Sequence, residues 1–398
     1  MMYAIIYLKK DREEALGRFH PWIFSGAVAS VKGELREGEV VEVRSAAGNF
    51  LALGHYQAGS IAVRVLTFEP CRINAAFWFD ALQRAYRVRQ ALQLTGNAST
   101  SAYRLVHGEG DFLPGLVIDI YGATAVMQAH SAGMFLAREE IAAALQKIYG
   151  GALQCIYDKS AATVPFKAGL AAQDEYLLKN TGTSGEEIIM ENGRRFIVNW
   201  EAGQKTGFFL DQRDNRQLLA QYAKGRNVLN LFCYTGGFSV YALGGGAAAV
   251  HSVDSSPVAI ALTLRNAGLN SAAAAPHQAF TTDAFEFLHR SPCHAYDLMI
   301  IDPPAFAKHT GALKNALQAY KRLNAAAFSK IAPGGIVFTF SCSQVVGKTE
   351  FRNAVFSAAV ISKRRVRILH QLTQPADHPV NIYHPEGEYL KGLALLVE

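Results

Sequence analysis

The chain has few cysteines, and their spacing matches neither a disulfide framework nor a zinc motif. Its 398 residues contain 5 cysteines, and no two of them form a Cys-x-x-Cys pair. Small disulfide-bonded folds and structural zinc sites depend on closely spaced cysteines, so we expect neither in this protein. A reducing compartment, the cytoplasm, is therefore predicted, and no metal site is.

Long apolar runs are also missing from the sequence. No stretch approaches the roughly eighteen apolar residues that a membrane-spanning helix needs. The opening MMYAIIYLKKDREE lacks the apolar core and small-residue cleavage site of a signal peptide. We therefore expect neither secretion nor a membrane as a partner.

The charge imbalance is small and lies in the last half of the chain. The net charge is +6. Residues 1–195 balance their charges, so the whole excess lies in residues 196–398. Such an excess permits an anionic partner without requiring one. With 50% hydrophobic and 18% charged residues, the composition is that of a globular protein long enough for two or three domains.

Three composition patterns follow one another along the chain. Residues 1–70 contain short β-rich runs separated by glycines, which predicts a small β-barrel. Residues 71–195 mix helical and strand patterns, which predicts a central α+β domain. In residues 196–398, buried strands alternate with amphipathic helices, which predicts a doubly wound α/β domain with a largely parallel sheet. Its two closing strands, RVRILHQL and LKGLALLVE, have no helix between them and predict an antiparallel edge.

The first two strands of this α/β pattern end in residues suited to a nucleotide-like ligand. In such sheets the ligand lies at the carboxyl ends of the strands. The run NLFCYTGGF follows the first strand, and its glycines allow a close backbone approach, but it lacks the G-x-G-x-x-G pattern of dinucleotide-binding oxidoreductases. Asp254 ends the second strand, 18 residues after Gly236. Its carboxylate can accept hydrogen bonds from the two ribose hydroxyls of the ligand, or alternatively it can cap the N-terminus of the following helix.

Two further strand ends carry an aspartate. Asp283 stands where a strand passes into a helix, and either a contact to an adenine amino group or a helix cap explains it. Asp302 is followed by Pro303 and Pro304, which end strand hydrogen bonding abruptly and stiffen the loop. The carboxylate is thus predicted to be held rigidly in the crevice, where it can bond a base nitrogen.

Together these motifs resemble a known family. The runs GQKTGFFLDQRDNR, LNLFCYTGGFSVYAL, DPPAF, FTFSCS and ADHPV…HPEGEYLKG are similar to those of class I S-adenosylmethionine (SAM) methyltransferases of large-subunit rRNA that carry a PUA domain and make 5-methylcytosine in 23S rRNA. The resemblance implies SAM as cofactor, rRNA or its assembly intermediate as partner, and an RNA-binding N-terminal barrel. In that barrel, Arg12, Arg18 and His20 are candidate phosphate contacts. The predicted cofactor-binding residues are Asp211, Gln212, Arg213, Asn230, Phe232, Tyr234, Thr235, Gly236, Gly237, Asp254, Ser255, Asp283, Asp302 and Pro303.

Cysteine chemistry decides the predicted reaction. C5 of cytosine is a weak nucleophile, and adding a thiolate to C6 activates it. In the family that the chain resembles, the cysteine corresponding to Cys342 is this nucleophile, and Asp302 is the second predicted catalytic residue. A buried structural cysteine is the alternative for Cys342. Cys233 lies on the cofactor side, and we assign it to packing.

Several points stay open from the sequence. The base that removes the C5 proton is Asp302, His378, Lys391 or water. A guanine methyltransferase (N7 or N2), which needs no cysteine, and a non-catalytic RNA-binding assembly factor are alternative functions. An N6-adenine enzyme is disfavoured because Ala305 follows the two prolines, where an aromatic residue is wanted. The oligomeric state is open as well, with a homodimer as one option.

Overall fold

The computed structural model describes residues 3–165, 168–180, 182, 184–270, 275–307 and 309–398. The chain folds into two compact units, each built from three segments. The first unit comprises Met1–Ile189, Val198–Phe208 and Ala376–Gly387. The second comprises Met190–Ile197, Phe209–Pro375 and Glu388–Glu398. The division into three consecutive domains, 1–70, 71–195 and 196–398, stays a prediction.

The N-terminal part of the first unit is a six-stranded sheet. Its strands are β1 (Ala4–Leu8), β2 (Trp22–Phe24), β3 (Val28–Lys32), β4 (Val40–Arg44), β5 (Phe50–Tyr56) and β6 (Ile61–Thr67), with a short helix α1 (Glu14–Gly17). The strand order is β2-β6-β5-β4-β1-β3. In β4, Val41 and Val43 are buried and their neighbours are partly exposed, which is the alternation of a strand with one face on the core. The predicted short strands are confirmed.

A second sheet with its own hydrophobic core follows in the same unit. Its strands are β7 (Ala102–His107), β8 (Leu116–Tyr121), β9 (Thr124–Ala129), β10 (Cys155–Asp158) and β11 (Glu175–Lys179), and its helices are α2 (Ala75–Ala91), α3 (Ala132–Leu136) and α4 (Arg138–Tyr149). The strand order is β11-β10-β9-β8-β7. Helix α2 begins where the Asn74 side chain accepts hydrogen bonds from two backbone amides, and it buries Trp78 and Leu82. Strands β12 (Glu186–Glu191) and β13 (Arg194–Asn199) form a separate two-stranded sheet.

The second unit is built on a seven-stranded sheet. Its strands are β14 (Asn227–Leu231), β15 (Ala249–Asp254), β16 (His277–Thr281), β17 (Leu298–Ile301), β18 (Gly335–Ser341), β19 (Val366–Leu372) and β20 (Lys391–Val397). Its helices are α5 (Arg213–Tyr222), α6 (Gly237–Gly244), α7 (Pro257–Leu269), α8 (Ala284–Arg290), α9 (Leu313–Lys330) and α10 (Lys348–Ser362). Among the described residues, no helix is long and apolar enough to cross a membrane.

The order of these strands fixes where a ligand site belongs. The sheet runs β16-β15-β14-β17-β18-β20-β19, and β14 to β18 are parallel. Strand β20 pairs antiparallel with both β18 and β19, which confirms the predicted antiparallel edge. Every residue of β17 and β18 is buried, as expected when helices cover both faces of a parallel sheet. Strand order reverses between β14 and β17, and ligands of such sheets bind outside the carboxyl ends at that point.

Candidate active site

The turn after β14 has a strained backbone. Phe232 and Tyr234 have φ angles of 59° and 47°, and Gly236 has 78°. The left-handed region costs a non-glycine residue about 1–2 kcal/mol, and retained strain of this kind clusters at functional sites. A Cβ on Gly236 would lie 2.7 Å from the methyl carbon of Thr263, so this position also has no room for a side chain. The turn leads directly into α6, whose first residue is Gly237.

Asp254 fastens this turn to the end of β15. Its Oδ2 accepts a hydrogen bond of 2.9 Å from the backbone N–H of Tyr234, and its Oδ1 accepts one of 2.9 Å from the N–H of Ser256. Ser256, not Asp254, is the N-cap of α7. The capping alternative for Asp254 therefore does not hold, and Ser255 lies exposed beside it. A carboxylate oxygen can accept more than one hydrogen bond, so this fixed carboxylate can still accept bonds from a ligand.

Three other predicted cofactor residues have structural partners. Asp283 is the N-cap of α8, accepting a 3.0 Å hydrogen bond from the Glu286 amide, so its capping role is observed and its adenine contact stays a prediction. Asn230 is buried in β14 and donates to Ser239 Oγ at 2.9 Å. The carbonyl of Thr235 accepts a 2.8 Å bond from the Asn266 side chain. The contacts of Asn230 and Thr235 brace the elements around the turn.

Asp302 follows β17 and is held by a chain of amides. Gln212 Nε2 donates to Asp302 Oδ2 at 3.0 Å. Gln212 Oε1 in turn accepts a 2.7 Å bond from Asn215 Nδ2, which fixes the orientation of the Gln212 amide. Burial, and next the negative charge of Asp211, raise the pKa of Asp302 to about 7. The carboxyl group can therefore gain or lose a proton near neutral pH, which an ordinary aspartate cannot.

Asp211 presents an unsatisfied acceptor in the same region. Tyr389 donates its hydroxyl to Asp211 Oδ2 at 2.6 Å. Asp211 Oδ1 is buried and has no hydrogen-bond partner among the described residues. A buried carboxylate oxygen without a donor is costly, so it is suited to accept hydrogen bonds from a bound cation.

The two arginines near this site differ in their surroundings. Arg216 makes two hydrogen bonds to buried Glu191, at 2.8 and 2.7 Å, so it is an internal structural pair. Arg213, a predicted cofactor residue, is buried at the start of α5, and its Nε lies 3.8 Å from Asp214 Oδ1. Its cofactor contact stays a prediction.

Cys342 lies beside the Asp302 loop. Strands β17 and β18 are parallel neighbours, and Cys342 directly follows β18 as Asp302 follows β17. The Cys342 sulfur is 4.0 Å from the carbonyl oxygen of Pro303, and the side chain is partly exposed. Cys233 differs: it is buried, its sulfur is 3.6 Å from Thr263 Oγ1, and burial raises its pKa to about 12. A thiol with that pKa is a poor nucleophile.

The candidate bases fall in different places. Lys391 begins β20 opposite Ser341, and its Nζ donates to the Ser343 carbonyl at 2.6 Å, so it lies next to Cys342 in the second unit. His378 belongs to the first unit, where it is buried with its Nδ1 3.1 Å from Asp377 Oδ1.

Sequence reasoning missed two residues of this site. Asn215 and Tyr389 orient Gln212 and Asp211, and neither was singled out. Asn215 lies in the same motif run as Gln212, GQKTGFFLDQRDNR, which was the available signal. Tyr389 lies in HPEGEYLKG, which carried part of the resemblance but gave no role to its tyrosine.

Comparison with known proteins identifies the class of this fold and site. A family model of S-adenosylmethionine-dependent methyltransferases matches residues 175–379, and a PUA-like domain model matches residues 6–68. A solved Streptococcus mutans structure titled as a SAM-dependent methyltransferase is 25% identical, with a TM-score of 0.83 over 100% of both chains. A methyltransferase crystallised with S-adenosylhomocysteine gives the same values. The chain is a SAM-dependent methyltransferase with an N-terminal PUA-like domain, as predicted.

Full-length relatives define the family more narrowly. The ribosomal RNA large subunit methyltransferase I of Tolumonas auensis is 42% identical over 99% of both chains. The protein of the same name from Aeromonas hydrophila is 40% identical over 99% of both chains. The chain belongs to this family of methyltransferases.

The residues at the strand ends and in the segment before α5 fit SAM. SAM carries a sulfonium and an ammonium group, and the buried acceptor on Asp211 suits such a cation. The fixed carboxylate of Asp254 suits the two ribose hydroxyls. The strained turn at Gly236 lets backbone approach the ligand without a side chain between. The individual SAM contacts stay predictions.

The substitution Asp254→Ala is expected to weaken SAM binding at least about tenfold, since each lost charge-assisted hydrogen bond is worth about 1.5–3 kcal/mol. It also removes the acceptor that holds the Tyr234 amide in the strained turn. Isothermal titration calorimetry measures the affinity. Asp297→Ala is the matched control, because Asp297 accepts the Asn227 amide at the opposite end of the sheet. Equal SAM affinity in wild type and Asp254→Ala would refute the ribose role.

Proposed function

We propose that this protein methylates C5 of a cytosine in large-subunit rRNA through a covalent bond between Cys342 and C6 of the base. The printed names of the relatives support the rRNA substrate. The observation that carries the cytosine assignment is the partly exposed thiol of Cys342 next to the loop of Asp302. Acting on this RNA, the enzyme would work in the cytoplasm.

Cys342 would form the covalent bond to the base, and Asp302 would hold the base in place. The Cys342 thiolate adds to C6, which moves the C5–C6 double-bond electrons to C5 and makes that carbon nucleophilic. SAM supplies the methyl group that C5 accepts. A base then removes the C5 proton, the double bond re-forms, and the thiolate leaves as the S–C6 bond breaks. The protein's task is to hold the base in one orientation throughout.

Asp302 is suited to hold the cytosine edge. A protonated carboxyl group has one O–H donor and one carbonyl acceptor, which match the N3 acceptor and the N4 amine donor of cytosine. Because the pKa of Asp302 is raised to about 7, the protonated form is present near neutral pH. A proton donated to N3 also withdraws electrons from the ring and favours thiolate addition to C6. An ionised aspartate would instead place its charge against N3.

The first unit offers a surface for unpaired nucleotides. Phe19 is 47% exposed, Phe24 is 51% exposed and Tyr383 is 44% exposed. The rings of Phe19 and Tyr383 are 5.4 Å apart. Exposed aromatic side chains stack on splayed bases, which is how single-stranded RNA is recognised most often. We call these three side chains the aromatic patch. Of the predicted phosphate contacts beside it, Arg18 is paired with Glu14.

Removing two of the three side chains of the aromatic patch is expected to weaken RNA binding without affecting SAM binding. The double variant Phe19→Ala, Phe24→Ala should raise the dissociation constant for an rRNA fragment about tenfold or more, since each stacked base is worth about 1–3 kcal/mol. Phe356→Ala, which removes an aromatic side chain that is 67% exposed on α10, is the matched control. Fluorescence anisotropy measures both. Equal losses in the two variants would contradict a specific role for the patch.

The direct test of the function is nucleoside analysis. The purified protein is incubated with SAM and, in separate reactions, with large-subunit rRNA or ribosomal particles from a strain that lacks its own enzyme of this family. The RNA is then digested to nucleosides, and mass spectrometry identifies the methylated one. We expect 5-methylcytidine at one position. Methylguanosine instead would replace the proposal with the guanine alternative, and no methylation of RNA or ribosomal particles would favour the assembly factor.

A further inference from the structure

Lys391 is a buried cation next to Cys342. Only 5% of its surface is exposed, and it begins β20 directly opposite Ser341. Its Nζ donates to the carbonyl of Ser343 at 2.6 Å. Ser341 and Ser343, which pair with Lys391 and accept its hydrogen bond, are the residues on either side of Cys342. The ammonium group is thereby fixed against the backbone that carries the thiol.

No carboxylate among the described residues forms an ion pair with this ammonium. Glu388 is close enough to act on it electrostatically, but Glu388 forms an ion pair with Lys348. A buried ammonium group that has only a carbonyl partner is costly. Burial accordingly lowers the pKa of Lys391 to about 8, while the charge of Cys342 is the largest effect in the opposite direction. The anion that best stabilises this lysine is thus the Cys342 thiolate.

We propose that Lys391 is a positioning residue that holds Cys342 in its thiolate form. The interaction is reciprocal, because a thiolate that favours the ammonium form of a lysine is itself favoured by that ammonium. The proton leaves the sulfur for solvent or for neutral Nζ, and no oxidant or reductant is needed. The inference deepens the proposed function, since it names what prepares the nucleophile for addition to C6.

The other titratable groups around the thiol do not replace Lys391. Tyr320 on α9 is fully buried, and burial raises its pKa to about 12, so it is neutral at physiological pH. Asp302 becomes negative above about pH 7 and opposes a second negative charge nearby. Lys348 is exposed and paired with Glu388. Among the residues that the structure describes, Lys391 is the buried cation held against the Cys342 segment.

The test is the pH dependence of thiol alkylation, resolved by residue. Full-length protein is treated with iodoacetamide between about pH 5 and pH 10, and peptide mass spectrometry gives the alkylation rate of each cysteine, because only the thiolate reacts. Cys71 and Cys293 are exposed and serve as internal references in the same sample. In wild type we expect the midpoint for Cys342 to lie at least about one pH unit below that of Cys293.

Two variants identify the source of that shift. Lys391→Met keeps an unbranched side chain of similar length and removes the charge, so the Cys342 midpoint should rise by about one pH unit or more while the Cys293 midpoint stays unchanged. Lys391→Arg keeps the charge and should retain most of the shift. An unchanged Cys342 midpoint in Lys391→Met would overturn the inference. Should that variant not fold, a wild-type Cys342 midpoint equal to that of Cys293 would overturn it equally.

The inference and the proposed function fail separately. Alkylation needs neither RNA nor SAM, so it reports the thiolate alone. A lowered, Lys391-dependent midpoint without formation of 5-methylcytidine would refute the function and leave the thiolate inference intact. Formation of 5-methylcytidine with an unshifted midpoint would do the reverse.

Discussion

Replacing Cys342 with serine is expected to lower the rate of rRNA methylation by about four orders of magnitude or more, the scale seen when a covalent nucleophile is removed. A serine hydroxyl is not ionised at neutral pH and cannot add to C6 as a thiolate does. The substitution replaces one atom at a partly exposed position, so the fold and SAM affinity should be unchanged. Transfer of a radiolabelled methyl group from SAM to RNA measures the rate.

Cys233→Ser is the matched control for this experiment. Cys233 lies after β14, in the turn before α6, but is buried, and burial raises its pKa to about 12. Its serine variant should keep the methylation rate within a few-fold of wild type. Full methylation by Cys342→Ser would end the covalent mechanism and favour the guanine alternative, which needs no thiol.

The substitution Asp302→Asn is expected to abolish most of the activity and yet stabilise the protein above neutral pH. The asparagine amide can still donate a hydrogen bond to N3 and accept one from the N4 amine, but it has no acidic proton to transfer to N3. The ring therefore loses the electron withdrawal that favours thiolate addition to C6. The stability change has a separate cause. A carboxyl group with a pKa of about 7 in the folded state and an ordinary low value in the unfolded state binds more protons when folded. Its contribution to stability is full at low pH and is lost as the pH rises through 7.

The pH dependence of that stabilisation is the measurement. Differential scanning fluorimetry of wild type and Asp302→Asn should show similar melting temperatures at about pH 3, where the wild-type carboxyl group is mostly protonated in both the folded and the unfolded state. The variant should melt several degrees higher at about pH 8, because it lacks the cost of roughly 2–4 kcal/mol for ionising Asp302 in the folded protein. A difference that does not change with pH would contradict a proton on Asp302 in the folded protein.

Local pattern in the sequence was enough to predict the parts of this fold that depend on neighbours along the chain. The alternation of buried strands and helices gave β14 to β18 and the helices between them. The two prolines after Asp302 indicated the end of a strand, and Cys342 follows the next strand of the pattern. Asp302 and Cys342 were therefore expected at the same edge of the sheet. Parallel strands align their carboxyl ends, so this juxtaposition required only the strand order.

Contacts between distant segments could not be predicted in the same way. Gln212 is 90 residues from Asp302, and Tyr389 is 178 residues from Asp211, yet these pairs set the orientation of both carboxylates. Single residues at such separations leave no local periodicity. The segment Ala376–Gly387, which lies between β19 and β20, belongs to the first unit. This placement moves His378 out of the second unit, although the sequence alone left it among the candidate bases.

Peptide mapping of a covalent adduct tests the central claim most directly. An rRNA fragment with 5-fluorocytidine at the target position can accept the methyl group, but C5 then carries fluorine and methyl and has no proton to lose, so the S–C6 bond cannot break. We expect a stable protein–RNA adduct that forms only with SAM and maps by mass spectrometry to the peptide containing Cys342. Methylation of the ordinary RNA at C5 without any adduct to Cys342 on the fluorinated RNA would contradict the account.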